Sequence, residues 1–244
     1  MLNPPYRILL PSSKEVLLST QYFEEGCILL INKPKGWTSF DVVAKLRNLF
    51  KIKKIGHSGT LDPLATGLLI IATGKYTKLL NEFQNYDKQY LATFCLGAIT
   101  PSYDAEYEPL FYQSASHITP EMLETFLQRF RGEIEQIPPP FSAIKIGGKR
   151  AYELARQKQD IQLRPRKVHI YQFIITAFHS PENIQALIYC SKGTYIRSLI
   201  HDLGQALGVG AYLKELQRTH IGTYSLENAW EIQEIIDFVQ IQKQ

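Results

Sequence analysis

Apolar residues along this chain fall into short unbroken runs, alternating stretches and helical stripes. Cys27-Ile28-Leu29-Leu30-Ile31 is an apolar run closed by Pro34 and Gly36, the signature of a buried strand. Thr38-Ser39 then offers an N-cap hydroxyl, and Val42, Val43, Leu46, Leu49 and Phe50 recur at the spacing of one helical face. Residues 67–73 (GLLIIAT) again predict a strand, and Leu79, Leu80 and Phe83 predict a helix over 75–83. Residues 88–97 alternate as the two faces of a strand require. Thr119-Pro120-Glu121 opens a helix whose stripe runs from Met122 to Phe130 and stops at Gly132. Residues 168–178 and 184–190 predict strands around a turn at Ser180-Pro181-Glu182-Asn183, and residues 195–207 predict a helix. Strands and helices mix without a strict alternation, which predicts an α+β fold. No internal repeat is visible.

Composition narrows the class. With 244 residues, 45% of them hydrophobic, the chain can bury a real core. No apolar run approaches the roughly 20 residues needed to cross a bilayer, and the N-terminus lacks the pattern of a secretion signal. Cys27, Cys95 and Cys190 are far apart with no C-x-x-C spacing, so neither a disulfide framework nor a zinc site is signalled, and buried thiols suit the cytoplasm. The net charge of +4 is too small to diagnose nucleic-acid binding, but its distribution is uneven. Basic residues crowd 33–54 and 145–167, while the tail after Tyr224 is mostly acidic. Two such stretches fit either a polyanion groove or ordinary solvated faces.

The densest candidate for chemistry is residues 56–67, GHSGTLDPLATG. Glycines, a proline, an imidazole and one carboxylate between two apolar elements make a poor core and a good shaped loop. Taken alone, Asp62 before Pro63 reads equally as a turn-former that caps local amides.

This segment resembles the G-H-x-G-x-L-D-P signature of the bacterial pseudouridine synthase B (TruB) family, shared with the eukaryotic and archaeal Cbf-type enzymes. Upstream, LLINKPKGWTS (29–39) is similar to the family's K-P-x-G-x-T-S motif. Downstream, Lys88-Gln89-Tyr90 with Leu96-Gly97, then QIPPPFSAIKIGGKRAYELAR (136–156), then CSKGTYIRSLIHDLG (190–204) with Gly210-Ala211-Tyr212-Leu213 follow the family's remaining motifs in order. The resemblance covers residues 26–224 without a break.

It implies a mixed, mostly antiparallel central sheet flanked by helices, with the catalytic cleft across it. Residues 1–25 become an N-terminal extension, 26–224 the catalytic domain, and 225–244 a short tail without room for a full PUA-type RNA-binding module. The implied activity is isomerisation of uridine 55 in the T-psi-C loop of tRNA to pseudouridine, after the base is flipped out. Asp62 becomes the catalytic carboxylate, attacking the anomeric carbon or ring C6 or abstracting a sugar proton. Arg197 is implied as its cation and Tyr90 as the pocket tyrosine stacking on uracil. Tyr195 and Leu216 become pocket walls, His57 the support of the flipped nucleotide, and Lys33 and Pro34 the pocket rim. The substrate is the tRNA T arm. No cofactor, metal, membrane or obligate protein partner is implied, and the location is cytoplasmic.

Pro101 and Ser102 depart from a T-x-T-type element, Tyr107 and Lys158 replace usual glycines, and Gln217 replaces a usual arginine. Three rivals follow from the residues: a silent RNA-binding scaffold, a glycosidase-like hydrolase with paired carboxylates, and a family member acting on ribosomal or guide-directed RNA. Intact Asp62, Tyr90 and Arg197 oppose the first. The lack of a second acidic residue in a matching motif opposes the second, and the compact, bacterial-looking motif set opposes the third.

Overall fold

The computed structural model describes residues 7–12, 20–157, 159, 162–179 and 181–241; Lys158, Asp160 and Ser180 therefore lie outside the described residues. The fold is α+β, with a mixed, mostly antiparallel sheet and flanking helices. The chain forms two compact units, Met1–Gln89 with Gln217–Gln244, and Tyr90–Leu216. Among the described residues, no helix is long and apolar enough to cross a membrane.

In the first unit the 27–31 run becomes strand Ile28–Lys33, antiparallel to strand Thr66–Thr73. Strands Ile8–Leu9 and Trp230–Glu231 pair with it in parallel. Alternation along the strands supplies two separate cores. Leu29, Ile31, Leu69 and Ile71 pack with Phe23, Val42, Leu46 and Trp230, while Ile28, Leu30, Leu68 and Ile70 pack with Phe83 and Ile221. A strand covered on both faces must be apolar at successive positions, which is why the sequence shows runs here and not alternation.

Helix Ser39–Phe50 begins at a capping box: the Asp41 amide donates to the Thr38 hydroxyl at 3.0 Å, and the Thr38 amide donates to the Asp41 carboxylate at 2.8 Å. Hydrogen bonding to the Thr38 side chain, and then to its backbone amide, holds the Asp41 pKa below its ordinary value. The helix predicted over 75–83 is instead a 3-10 segment, Gly74–Leu79, followed by a short helix, Leu80–Gln84. The Thr77 hydroxyl donates to the Gly74 carbonyl three residues back at 2.9 Å, a local bond that competes with regular helical pairing. Residues 225–241 are built into the same unit. Trp230 is fully buried with its indole N–H on the Leu9 carbonyl at 2.9 Å, and helix Ile232–Ile241 adds Ile235, Ile236 and Val239 to the core.

The second unit carries strands Arg166–His179 and Asn183–Cys190 as an antiparallel pair, with strand Gly132–Gln136 on the outer side of the first. Helix Pro120–Leu127, capped by Thr119, packs against Arg166–His179 and against helix Ile196–Ala206. Tyr90 and Leu216 are the first and last residues of this unit, on the strands by which the chain enters and leaves it.

Within the first unit Gly67 is a tight crossing between strands. It pairs with Lys33 on one neighbouring strand and Arg218 on the other. Its φ is +100°, and a Cβ there would lie 2.3 Å from the Arg218 carbonyl oxygen. Gly67→Ala should therefore lower unfolding free energy by about 3 kcal/mol or more, combining backbone strain with overpacking. Urea titration of the variant beside wild type measures this.

Candidate active site

The three paired positions Lys33, Gly67 and Arg218 sit side by side on adjacent strands, so both long side chains rise from the same side of the sheet. Both are buried, and both end on the loop that carries Asp62. The Lys33 ammonium donates to the carbonyls of Trp37 at 2.6 Å, Pro34 at 3.0 Å and Pro63 at 3.3 Å. The Arg218 guanidinium donates to the carbonyls of Leu68 at 2.8 Å and Gly59 at 3.1 Å. A third tie comes from Ser39, whose hydroxyl accepts from the Leu61 amide at 2.9 Å and faces the Leu61 carbonyl at 3.3 Å. The Gly36 amide donates to the Pro63 carbonyl at 2.8 Å, and the Ala65 amide to the Asp62 carbonyl at 3.1 Å. The loop's backbone is thus satisfied by buried side chains and a neighbouring turn where no ladder partner exists.

The charges in this cluster act on one another. Burial pushes the Lys33 ammonium down to about 8; Asp62 opposes that fall, and the Arg218 cation adds to it. His57 is placed on strand Ile55–Ser58, paired with Ile71, and not on the loop that the glycine-rich sequence predicts. Burial, and then Arg218, lower its pKa, which keeps the imidazole neutral at pH 7. Asp62 is half-buried, as are Pro34 and His57.

The second unit holds another preorganised cluster around Arg197, which is 4% exposed and lies in the first turn of helix Ile196–Ala206. Its guanidinium donates to the carbonyls of Ser102 at 3.1 Å and Phe141 at 3.0 Å, and its Nε lies 3.5 Å from the Asp104 carboxylate. Asp104 is itself tied down. Its carboxylate accepts from the Ser102 hydroxyl at 2.6 Å and the Glu106 amide at 3.0 Å. Tyr195 precedes the helix and is held by the buried Gln136 side chain, which donates to its carbonyl at 3.0 Å and accepts from its amide at 2.8 Å. The Arg166 guanidinium lies over the Tyr195 ring, 4.4 Å from its centre. Tyr90 is buried and Leu216 half-buried.

A family model described as "TruB family pseudouridylate synthase (N terminal domain)" matches residues 47–196, and one described as "tRNA pseudouridylate synthase B C-terminal domain" matches 197–244. The chain belongs to the TruB family. It is a pseudouridine synthase, an isomerase whose substrate is tRNA. Among its relatives, the tRNA pseudouridine synthase B of Bacteroides fragilis is 47% identical over 226 residues, covering 90% of this chain and 97% of the relative. That of Mycobacterium leprae is 41% identical over 224 residues, covering 88% of this chain and 70% of the relative. In the solved structure titled "Crystal Structure of a Cbf5-Nop10-Gar1 Complex", the matching chain is 27% identical with a TM-score of 0.72; all of this chain is covered, but only 62% of that one.

The structure places Asp62, Lys33, Pro34 and His57 in the first unit and Tyr90, Tyr195, Arg197 and Leu216 in the second. Lys33 is buried, and its ammonium donates to three carbonyls. Three residues of this TruB chain escaped the reading. Ser39 looked like a helix cap, although Thr38 is the cap. Arg218 followed a noted departure at Gln217. Asp104 lay in a segment marked only for its departures. No pattern of hydrophobicity distinguishes a buried cation from a solvated one.

Of the basic residues in 145–167, Lys167 is paired with Glu133 and Arg156 with Glu106, while Lys145, Lys149 and Arg150 are exposed. Among the described residues, no group of His, Cys, Asp and Glu side chains is arranged to hold a metal ion. Cys27, Cys95 and Cys190 are buried thiols.

Lys33→Met should cost about 3 kcal/mol at pH 7 by removing the donor shared by the part-buried Pro34, Trp37 and Pro63 carbonyls. In wild type, the folded pKa of about 8 lies below the ordinary 10.5, so between these values the unfolded chain holds more protons than the folded one. Lys33 therefore makes stability rise with pH across that window, and the Met variant should lack the rise. Denaturant titrations of both proteins at stepped pH read this directly.

Proposed function

We propose that this enzyme converts uridine 55 in the T-psi-C loop of tRNA to pseudouridine, with Asp62 as the catalytic carboxylate acting on a flipped-out nucleotide. The observation that carries the reading is the loop around Asp62, held by Lys33, Arg218 and Ser39 inside a segment matching the family's G-H-x-G-x-L-D-P signature.

The reaction breaks the glycosidic C–N bond, turns the uracil, and joins C5 to the sugar without losing the base. A carboxylate that engages the sugar or the ring holds the fragments in register through that sequence. Such a group must be anionic and fixed in direction. The nearby Lys33 cation interacts with the Asp62 carboxylate, and the clamped backbone fixes its origin. Arg197 serves as a charge-stabilising guanidinium, and its pre-set geometry at Ser102, Phe141 and Asp104 supports that role.

Tyr90 stacks on the flipped uracil, and Tyr195 and Leu216 wall the pocket. Neutral His57 supports the displaced nucleotide without adding a charge beside Arg218. Extrusion of the base costs a few kcal/mol, which phosphate contacts and the pocket offset. Exposed Lys145, Lys149 and Arg150 supply phosphate contacts to the T arm without reading its sequence. Three buried thiols fit a cytoplasmic location.

Asp62→Asn should retain the fold and tRNA affinity and form no pseudouridine in unmodified tRNA. Nucleoside mapping of the product tests both parts of the reading: conversion by wild type at a position other than 55 contradicts the assigned target, and conversion by the Asn variant at wild-type rate contradicts the assigned carboxylate.

A further inference from the structure

The turn that presents Asp104 to Arg197 has an unusual backbone. Tyr103 lies in the left-handed region with φ +65°, a conformation that costs a non-glycine residue free energy and persists only where surroundings enforce it. Its amide donates to the Thr100 carbonyl at 3.2 Å, and its carbonyl accepts from the Leu213 amide at 3.0 Å. On either side of it stand two of the three groups that Arg197 engages, the Ser102 carbonyl and the Asp104 carboxylate.

The Tyr103 ring lies flat on the His201 ring, with centroids 3.7 Å apart and planes inclined by 6°. His201 is one helical turn beyond Arg197, on the same side of helix Ile196–Ala206. The helix therefore grips the turn twice: through the guanidinium at Ser102 and Asp104, and through the imidazole at the residue between them. Burial lowers the His201 pKa and raises that of Tyr103, so at pH 7 the contact is between two uncharged rings.

We propose that the Tyr103–His201 stack is a positioning device for Arg197, enforcing the left-handed turn that sets the guanidinium's carbonyl and carboxylate partners. Tyr103 and His201 act through Arg197 and do not touch the reacting atoms. The inference rests on the role given to Arg197 above.

The test measures single-turnover pseudouridine formation and tRNA affinity for wild type, His201→Leu, His201→Phe, Tyr103→Gly and Arg197→Lys, after thermal melting confirms that each folds. His201→Leu removes the stacking partner. Tyr103→Gly removes the ring while tolerating the positive φ, so it separates loss of positioning from loss of folding. Both should lower the rate by about tenfold or more with affinity within about twofold of wild type, whereas His201→Phe, which keeps a flat ring, should restore most of the rate. A purely structural contact would lower melting temperature and leave the rate of folded enzyme unchanged. If Arg197→Lys is slow while folded His201→Leu and Tyr103→Gly keep the wild-type rate, the positioning role is overturned. If Arg197→Lys itself is unimpaired, the role of Arg197 fails and the stack has nothing to position. Equal loss of rate with His201→Phe and His201→Leu also overturns the stacking argument.

Discussion

The loop bearing Asp62 has no strand beside it to satisfy its carbonyls, and the chain meets that constraint with buried cations. Lys33 and Arg218 rise on either side of Gly67, whose missing side chain lets the Arg218 strand approach closely. Burying an ammonium and a guanidinium is costly unless their donors are used. Here they are used on the carbonyls of Pro34, Trp37, Pro63, Gly59 and Leu68, so the desolvation cost is offset while the loop becomes rigid. The Lys33 ammonium also interacts electrostatically with the Asp62 carboxylate. Loop shape and the charge environment of the carboxylate thus share a physical cause.

The second unit solves a related problem in the opposite sense. Arg197 is a buried cation held by a carboxylate and two carbonyls, and Asp104 is in turn held by a hydroxyl and a backbone amide. Polar networks of this kind are stable only when nearly every member is satisfied, and they then fix direction better than apolar packing does. In an isomerisation with no change in redox state or composition, fixed charge and orientation are what a protein can contribute.

Much of this was legible in the sequence. The apolar runs at 27–31 and 67–73, the alternation at 88–97 and the stripe after Thr119 all mark real elements, because burial on one or two faces leaves a periodic trace. The pattern predicts one helix over 75–83 because periodicity does not register the Thr77 hydroxyl that tightens the observed 3-10 start. His57 was read as a loop residue because Gly56 and Gly59 punctuate a four-residue strand. Motif resemblance singled out Asp62 and Arg197, but their supports follow from register and turn geometry. Lys33 and Arg218 are joined through Gly67 across more than 180 residues of chain, and Ser39 reaches a loop two dozen residues away. Such contacts exist only once the strands are paired.

The central claim, that the buried cation clamp orients the carboxylate proposed to be catalytic, is tested most directly by Arg218→Lys, which keeps the charge but cannot span both the Gly59 and Leu68 carbonyls. Amide hydrogen exchange at Leu61 and Ala65 and single-turnover pseudouridine formation are measured on the same sample. The account predicts faster exchange at both amides together with a rate loss of roughly 10- to 100-fold at unchanged tRNA affinity. Faster exchange with an undiminished rate would contradict it.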